Sequence, residues 1–442
     1  MFASLMTSRR FAPLFWCQFC SALNDNFLKN ALVMLILFGL GGAGGVGEGG
    51  AVLVTLAGIV FIAPFFILSA LGGDLADRYD KAFVATRIKL FEIPVAGLAA
   101  VGFYLHSVPI LFVTLALFGI ISALFGPVKY GLLPEKLQTA ELPAGNALVE
   151  GATFLAILIG TIAGGLAVSE AKSPELVVGV ILVLAVASWL SARQIPFTGP
   201  SAPGLVVSKN PWSATVSLLR ELRVDQRLWG GAHVVSWFWV VGSVALSLLP
   251  ALVRDVIGGS EGVVTLCLTV FVAGIATGSM LAAKQSHGTP NLTLVPRGAV
   301  MIGVASLALA AVAWMATPAV PAIGPVALVG TFTGLALLVS LFVLAVAGGL
   351  YIVPAFAAVQ AWSPADRRAR VIAGVNVMNA AYMVVGGALV AALQAAGLGV
   401  GLLFALLGLL TFGFIATVLR AWFADIAAVR DSSTTAQVER AA

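Results

Sequence analysis

Charged and amide side chains interrupt the first long hydrophobic run of the sequence. Asp25 and Lys29 are four residues apart, so they share one face of a helix. At about 1.5 Å per residue, Asp25 lies roughly 21 Å along a helix that begins at Phe11. A carboxylate at that depth among apolar side chains costs several kcal/mol unless it is paired or hydrated. The segment, with Asn26, therefore predicts either a binding site or a structural ion pair between helices.

Further ionisable groups lie within hydrophobic runs or directly after them. Lys89 and Glu92 are spaced at i and i+3, so they either pair with each other or leave Lys89 to bind an anion. Lys129 and Tyr130 follow a Gly-Pro pair, which predicts a helix break. Glu150 is four residues after Asn146, on the same predicted helix face.

The composition is that of an integral membrane protein. The chain has 442 residues, of which 60% are hydrophobic and 10% charged, with a mean hydropathy of +1.06. Soluble domains carry about 25% charged residues. The net charge of +5 comes from basic residues in loops, which indicates membrane orientation and argues against nucleic-acid binding.

Metal and redox cofactors are not expected. Cys17 and Cys20 form a C-x-x-C pair without nearby histidine or further cysteine, inside an apolar run. The histidines, His106, His233 and His287, are too widely scattered to form a metal cluster. No spacing predicts a nucleophile with its base, so the chain is not expected to be an enzyme.

Twelve apolar runs are long enough to cross a bilayer as helices. They cover about 11–40, 52–73, 82–105, 108–128, 144–168, 175–193, 230–252, 262–283, 293–316, 325–353, 369–395 and 399–423. Lys and Arg concentrate in the even-numbered connections and at both ends, whereas the opposite connections hold only Lys172 and Arg254. Both termini are therefore predicted to be cytoplasmic.

The runs divide into two six-helix halves. Residues 1–193 form the first half, 194–229 a cytoplasmic linker, 230–423 the second half and 424–442 a polar tail. The linker starts rich in Gly and Pro and continues, from Trp212 to Leu228, as a predicted interfacial amphipathic helix. This is the all-α arrangement of major facilitators, whose substrate site lies near the midplane between two halves.

The loop after the second run resembles the major-facilitator signature G-x-L-x-D-R-x-G-R-K. It reads Gly73-Asp-Leu-Ala-Asp-Arg-Tyr-Asp-Lys81, and Asp80 replaces the second glycine. We predict a cytoplasmic latch in which Asp77 caps a neighbouring helix and Arg78 pairs with a carboxylate. Glu135 and Glu150 are its candidate partners, and a role for Glu135 in a binding site stays open.

The second half carries almost no intramembrane charge. It offers aromatic residues and amides instead, including Asn376 and Asn379. Ser363 and Asp366 form a plausible cap at the start of the following helix. A polar first half and an apolar second half suit an amphiphile with a charged head and an acyl chain.

Several segments resemble the bacterial lysophospholipid transporter family of the major facilitator superfamily. They are Gln18-Phe-x-Ser-Ala-x-x-Asp-Asn26, Pro127-x-Lys-Tyr-Gly131 and the helix holding Asn146 and Glu150. The stretch from Val353 to Ala380 is also similar to the transporter domain that some bacteria fuse to acyltransferase and acyl-carrier-protein synthetase modules. Because the sequence ends soon after the twelfth run, no such module is expected in it, and the seventh run lacks the arginine of stand-alone members.

The resemblance implies a lipid flippase of the bacterial inner membrane. It would move lysophosphatidylethanolamine from the outer to the inner leaflet, where a cytoplasmic acyltransferase/acyl-carrier-protein synthetase partner re-acylates it. By the same resemblance Asp25 would belong to the head-group site, with Lys129 as a further polar contact. From the charges themselves we hypothesise that Asp25 binds the ammonium of the head group and that Lys29 or Lys89 binds its phosphate. Two alternatives remain: a proton-coupled drug or small-solute exporter with Asp25 or Glu92 as proton carrier, and a non-transporting scaffold for an acyltransferase.

Overall fold

The structure is a computed structural model that describes residues 2–36, 49–169, 174–208, 210–286 and 289–429. Lys172, His287 and most of the predicted polar tail lie outside the described residues. Fifteen helices follow one another among them. In chain order α1 to α15 are Phe2–Thr7, Ala12–Met34, Gly49–Arg78, Lys81–Tyr104, Val108–Lys136, Leu142–Ser169, Pro174–Ala192, Pro211–Val224, Gln226–Ala251, Glu261–Gln285, Leu294–Met315, Pro325–Val329, Phe332–Trp362, Arg368–Ala395 and Val400–Phe414.

Ten helical segments within the described ranges are long and apolar enough to cross a membrane. α2 and α4, with 23 and 24 residues, are long enough but carry the charged side chains discussed above, which lowers their hydropathy. The predicted total of twelve spans therefore stays a prediction. The run at 325–353 had the wrong bounds, because a short α12 ends at Val329 and the long α13 runs from Phe332 to Trp362.

Prolines inside the long helices do not end them. α5 continues through Pro127 and Pro134 to Lys136, so the predicted break before Lys129 is wrong. In the hydrocarbon region no water is available to bond to backbone groups outside a helix, so a helix break is costly. Contacts with neighbouring helices satisfy the groups that a proline leaves free, and the helix continues through it.

The chain forms two compact units. The first comprises Met1–Leu218 and Pro364–Ala381, and the second Leu219–Ser363 and Tyr382–Ala442. In the first unit α2 packs against α6 and α7, and α5 packs against α3 and α4. In the second unit α13 packs against α9, α10 and α11, and α15 packs against α11.

Part of the apolar face of helix α8 packs against α3 and α14. Leu218 is buried with Ala70 of α3 and Ala373 of α14, and the Thr215 hydroxyl donates to the carbonyl of Phe66 at 3.2 Å. The linker thus holds a helix, as predicted, and part of the apolar face of this helix contacts protein. Trp212, at its start, is 64% exposed. The position of this helix at the membrane interface stays a prediction.

Candidate functional site

Helix α2 carries Asp25 into the interior of the first unit because α6 lets it approach closely. A Cβ built on Gly164 would collide with the backbone carbonyl of Phe27, so only glycine fits at this contact. A Cβ on Gly160 would lie 2.8 Å from the carbonyl oxygen of Leu23. Small residues commonly allow such backbone contact between membrane helices. They fix the depth and rotation of α2.

Asp25 is buried, with 8% of its surface exposed, and only half of its carboxylate is hydrogen-bonded. Ser122 of α5 donates its hydroxyl to Oδ2 at 2.5 Å, whereas Oδ1 has no hydrogen-bond partner among the described residues. Lys29 does not pair with it. The Lys29 Nζ is 3.4 Å from Oδ1 of Asn26, and within the described ranges no salt bridge joins it to Asp25, so the predicted structural ion pair is not formed there. The free carboxylate oxygen can accept a hydrogen bond from a cation.

Lys89 and Glu92 form a fully buried ion pair, with 2.8 Å between Nζ and Oε2. Lys89 also donates to the hydroxyl of Ser21 at 2.6 Å, and its Nζ lies 4.2 Å from the centre of the Phe125 ring. Asn24 donates to Glu92 Oε1 at 3.2 Å. The pair is thus saturated by groups from α2, α4 and α5. Of the two roles predicted for Lys89, these contacts support the structural one.

A second polar cluster lies where α5 meets α6. Tyr130 donates its hydroxyl to Oε1 of the buried Glu150 at 2.8 Å, and in the ranges that the structure describes Oε2 of Glu150 has no hydrogen-bond partner. Lys129 is half-buried and interacts electrostatically with both Glu150 and Asp25. Its Nζ lies 4.7 Å from the centre of the Tyr130 ring and makes no hydrogen bond within the described part of the chain. A lysine ammonium without a hydrogen bond can donate to an anionic group.

The predicted amide residues also lie in the first unit. Asn26 donates to the Ala22 carbonyl at 2.8 Å, and Asn146 donates to the Leu142 carbonyl at 3.0 Å, so each bonds to its own helix. Asn376 and Asn379, each 8% exposed, are on α14. A Cβ on Gly126 would lie 2.6 Å from Nδ2 of Asn376, which places this amide against α5.

Asp77 lies at the N-terminus of α14. Its carboxylate accepts the backbone N–H groups of Ala369 at 3.1 Å and Arg370 at 3.0 Å, and its side chain is fully buried. The predicted cap by Ser363 is wrong, because the Ser363 hydroxyl donates to the Val359 carbonyl of the preceding helix. A negative group at a helix N-terminus satisfies free amides and interacts favourably with the helix dipole.

Lys81 supplies the cation beside Asp77. Its buried Nζ is 2.6 Å from Oε1 of Glu135 and 3.4 Å from Oδ1 of Asp77. The Arg78 guanidinium instead lies over the Tyr79 ring, 5.4 Å from its centre, and it forms no ion pair with a carboxylate in the part of the chain that the structure describes, contrary to the prediction. Glu150 contacts Tyr130 and belongs with the polar cluster of α5 and α6 instead of the latch.

Sequence reasoning missed Ser122, Thr198 and Ser201, which all bond to carboxylates of the first unit. Isolated hydroxyl residues in an apolar helix or a loop give no distinctive pattern. The second unit also holds an unforeseen pair, in which Nδ1 of His233 is 2.6 Å from the hydroxyl oxygen of Tyr382.

Comparison with known proteins agrees with this architecture. The family model described as Major Facilitator Superfamily matches residues 14–336. The lysophospholipid transporter LplT of Serratia proteamaculans (strain 568) is 29% identical over 309 residues, which cover 68% of this chain and 72% of that protein. LplT of Yersinia pestis (strain Pestoides F) is 28% identical, with 68% and 70% covered.

Solved structures of transporters share the fold. The human organic anion transporter MFSD10 (TETRAN) matches with a TM-score of 0.71 at 18% identity, covering 92% of this chain and 99% of that one. The E. coli fucose:proton symporter FucP matches with a TM-score of 0.67 at 14% identity, covering 93% and 98%. The protein is a multi-pass membrane transporter. Its chain belongs to the major facilitator superfamily.

Proposed function

We propose that the protein is a lysophospholipid transporter of the bacterial inner membrane, with twelve spans and both termini in the cytoplasm. α2 and α4 are the two further spans, and the ion pair of Lys89 and Glu92 within α4 lowers the cost of placing charge there. The relatives named as lysophospholipid transporters support the substrate class.

The head group binds in the first unit. The observation that carries this proposal is that, among the described residues, neither Oδ1 of buried Asp25 nor the Lys129 ammonium has a hydrogen-bond partner, while the two groups interact electrostatically. Asp25 accepts a hydrogen bond from the ethanolamine ammonium, and Lys129 binds the phosphate. Charge-assisted hydrogen bonds of this kind are about twice as strong as neutral ones. Lys129 thus replaces Lys29 and Lys89 as the phosphate ligand.

Transport proceeds by alternating access, from the outer to the inner leaflet. Asp77, Lys81 and Glu135 form the latch that stabilises one state by holding the N-terminus of α14. The acyl chain stays in the lipid bilayer, so only the head group needs a polar path through the protein. Re-acylation by a cytoplasmic acyltransferase would consume the product and draw net flow inward.

Leaflet exchange in proteoliposomes tests the proposal. Labelled lysophosphatidylethanolamine is added outside, and albumin extracts whatever remains in the outer leaflet. We expect Asp25→Asn and Lys129→Met each to slow protection of the lipid by at least about ten-fold, since truncating one partner of a buried charge pair costs more than 1.4 kcal/mol. Wild-type exchange rates in both variants would refute the site.

A proton-coupled exporter is the second candidate, and one observation favours it. Glu150 is 1% exposed, and its Oε2 has no hydrogen-bond partner among the residues described, as expected of a buried carboxylate that carries a proton. Transport that an imposed pH gradient drives in wild type but not in Glu150→Gln would support this alternative.

A further inference from the structure

The first part of the linker lies across the ends of α3, α4 and α5. Residues 196–202, here called the linker strap, are held by backbone groups at three points. The N–H groups of Thr198 and Gly199 donate to Oδ2 of Asp80 at 2.7 and 2.6 Å. The N–H of Ala202 donates to the backbone carbonyl of Asp77 at 2.7 Å, and Lys136 donates to the carbonyl of Pro196.

The hydroxyl groups of the strap bond to the charged pair beside Asp77. Thr198 donates to Oε2 of Glu135 at 3.0 Å, and Ser201 donates to Oε1 at 3.1 Å. Ser201 also accepts a hydrogen bond from Lys81 at 2.6 Å. Both oxygens of Glu135 are therefore oriented by the strap while Oε1 pairs with Lys81.

Asp80 explains why the loop departs from the superfamily signature. Its Oδ1 caps α4 by accepting the N–H groups of Ala82 at 2.8 Å and Phe83 at 3.1 Å, which leaves Oδ2 for the strap. Glycine, which the signature has at this position, has no side chain that could accept hydrogen bonds from α4 or from the strap. Gly199 complements it, because its φ of +87° lies in the left-handed region that favours glycine.

We infer that the linker strap positions the latch: Asp80 docks the strap, and Thr198 and Ser201 hold Glu135 and Lys81 where Lys81 can support the cap of Asp77 on α14. The inference rests on the proposed function, in that it assigns the latch to one of two transport states. It makes Asp80, Thr198 and Ser201 positioning residues, which act through Lys81 and Glu135 and do not touch substrate.

The test measures the latch without any lipid substrate. Spin labels are attached at Tyr79→Cys and Ala365→Cys, which are both exposed positions. Pulsed electron paramagnetic resonance then measures the distance between the start of α14 and the turn that joins α3 to α4. The three native cysteines are first replaced by alanine. We expect Asp80→Gly and Ser201→Ala each to raise the ratio of long to short distances by about five-fold, the value of a partly exposed hydrogen bond to a charged group.

Matched variants separate positioning from a general loss of structure. Ser201→Thr keeps the hydroxyl and should restore the wild-type distances, whereas Ser208→Ala, in the same linker but away from Glu135, should leave them unchanged. Unchanged distances in both Asp80→Gly and Ser201→Ala would overturn the inference. Altered distances together with absent lysophospholipid exchange in wild type would refute the proposed substrate and leave the strap in place.

Discussion

Neutralising Asp77 should release α14 from the latch. In Asp77→Asn the side chain keeps its shape but loses the charge that accepts two amide hydrogens at 3.1 and 3.0 Å. A hydrogen bond to a charged group contributes about 1.5–3 kcal/mol and a neutral one about 0.5–1.5. The amide oxygen of Asn keeps one bond as a neutral one, which loses about 1 kcal/mol, and its amide nitrogen cannot accept the other, which loses about 1.5 kcal/mol, so about 2.5 kcal/mol is lost together. The interaction with the helix dipole adds about 0.3–1 kcal/mol. The loss applies only to the latched state, because the bonds exist only there.

A change of about 3 kcal/mol in all multiplies the unlatched-to-latched ratio by about 150. The assay is the distance distribution between labels at positions 79 and 365, recorded for wild type and Asp77→Asn. Asp366→Asn is the matched control, because it removes an exposed charge next to α14 that makes no hydrogen bond within the described residues. It should change the ratio by at most about five-fold. Equal shifts in the two variants would show that the cap does not hold α14.

Three further predictions address other parts of the account. Lys89→Met should leave no folded protein in detergent, as measured by size-exclusion chromatography, because it leaves the fully buried Glu92 without its cation. The double variant Lys89→Met with Glu92→Leu should recover folding, and a stable single variant would contradict this prediction. Gly164→Leu should lower the thermal midpoint by several degrees and halt exchange, since its side chain would displace α2; normal exchange would show that α2 need not lie close. Burial alone would raise the pKa of Asp80, but hydrogen bonds from four backbone N–H groups outweigh burial and lower this pKa below its ordinary value. The ionised Asp80 therefore stabilises the docked strap at any pH above the ordinary pKa of the carboxyl, and this stabilisation is lost as the pH falls through the lowered pKa. A spin label at position 203 should thus stay immobile from pH 8 to 5 and loosen only below about pH 4; release near neutral pH would contradict the assignment.

The cost of burying charge made much of the first unit predictable. Isolated ionisable residues in apolar runs identified Asp25, Lys89 and Glu92, and a three-residue spacing anticipated the pair that the last two form. The same reasoning was wrong for Lys29, because a long side chain at i+4 can turn toward another group, here Asn26. The roles of these residues in transport stay predictions.

Partners that are distant in sequence were beyond reach. The signature loop predicted that Asp77 would cap a helix, but nothing in it specified α14, which lies 291 positions later (368 − 77). Lys81 took the place expected of Arg78 because its side chain lies inward against Glu135, and a sequence pattern does not give that direction. Helix limits at Pro127 and Val329 also depended on tertiary packing, which decides whether a proline or glycine ends a helix.

The most direct test of the central claim is the rate at which Asp25 variants move a zwitterionic lysolipid between leaflets. Wild type, Asp25→Asn and the exposed-charge control Glu175→Gln are reconstituted at equal density, and albumin-protected lysophosphatidylethanolamine is followed over time. We predict rapid protection with wild type and the control, and a rate at least about ten-fold lower with Asp25→Asn. Wild type no faster than protein-free liposomes, or Asp25→Asn as fast as wild type, would contradict the account.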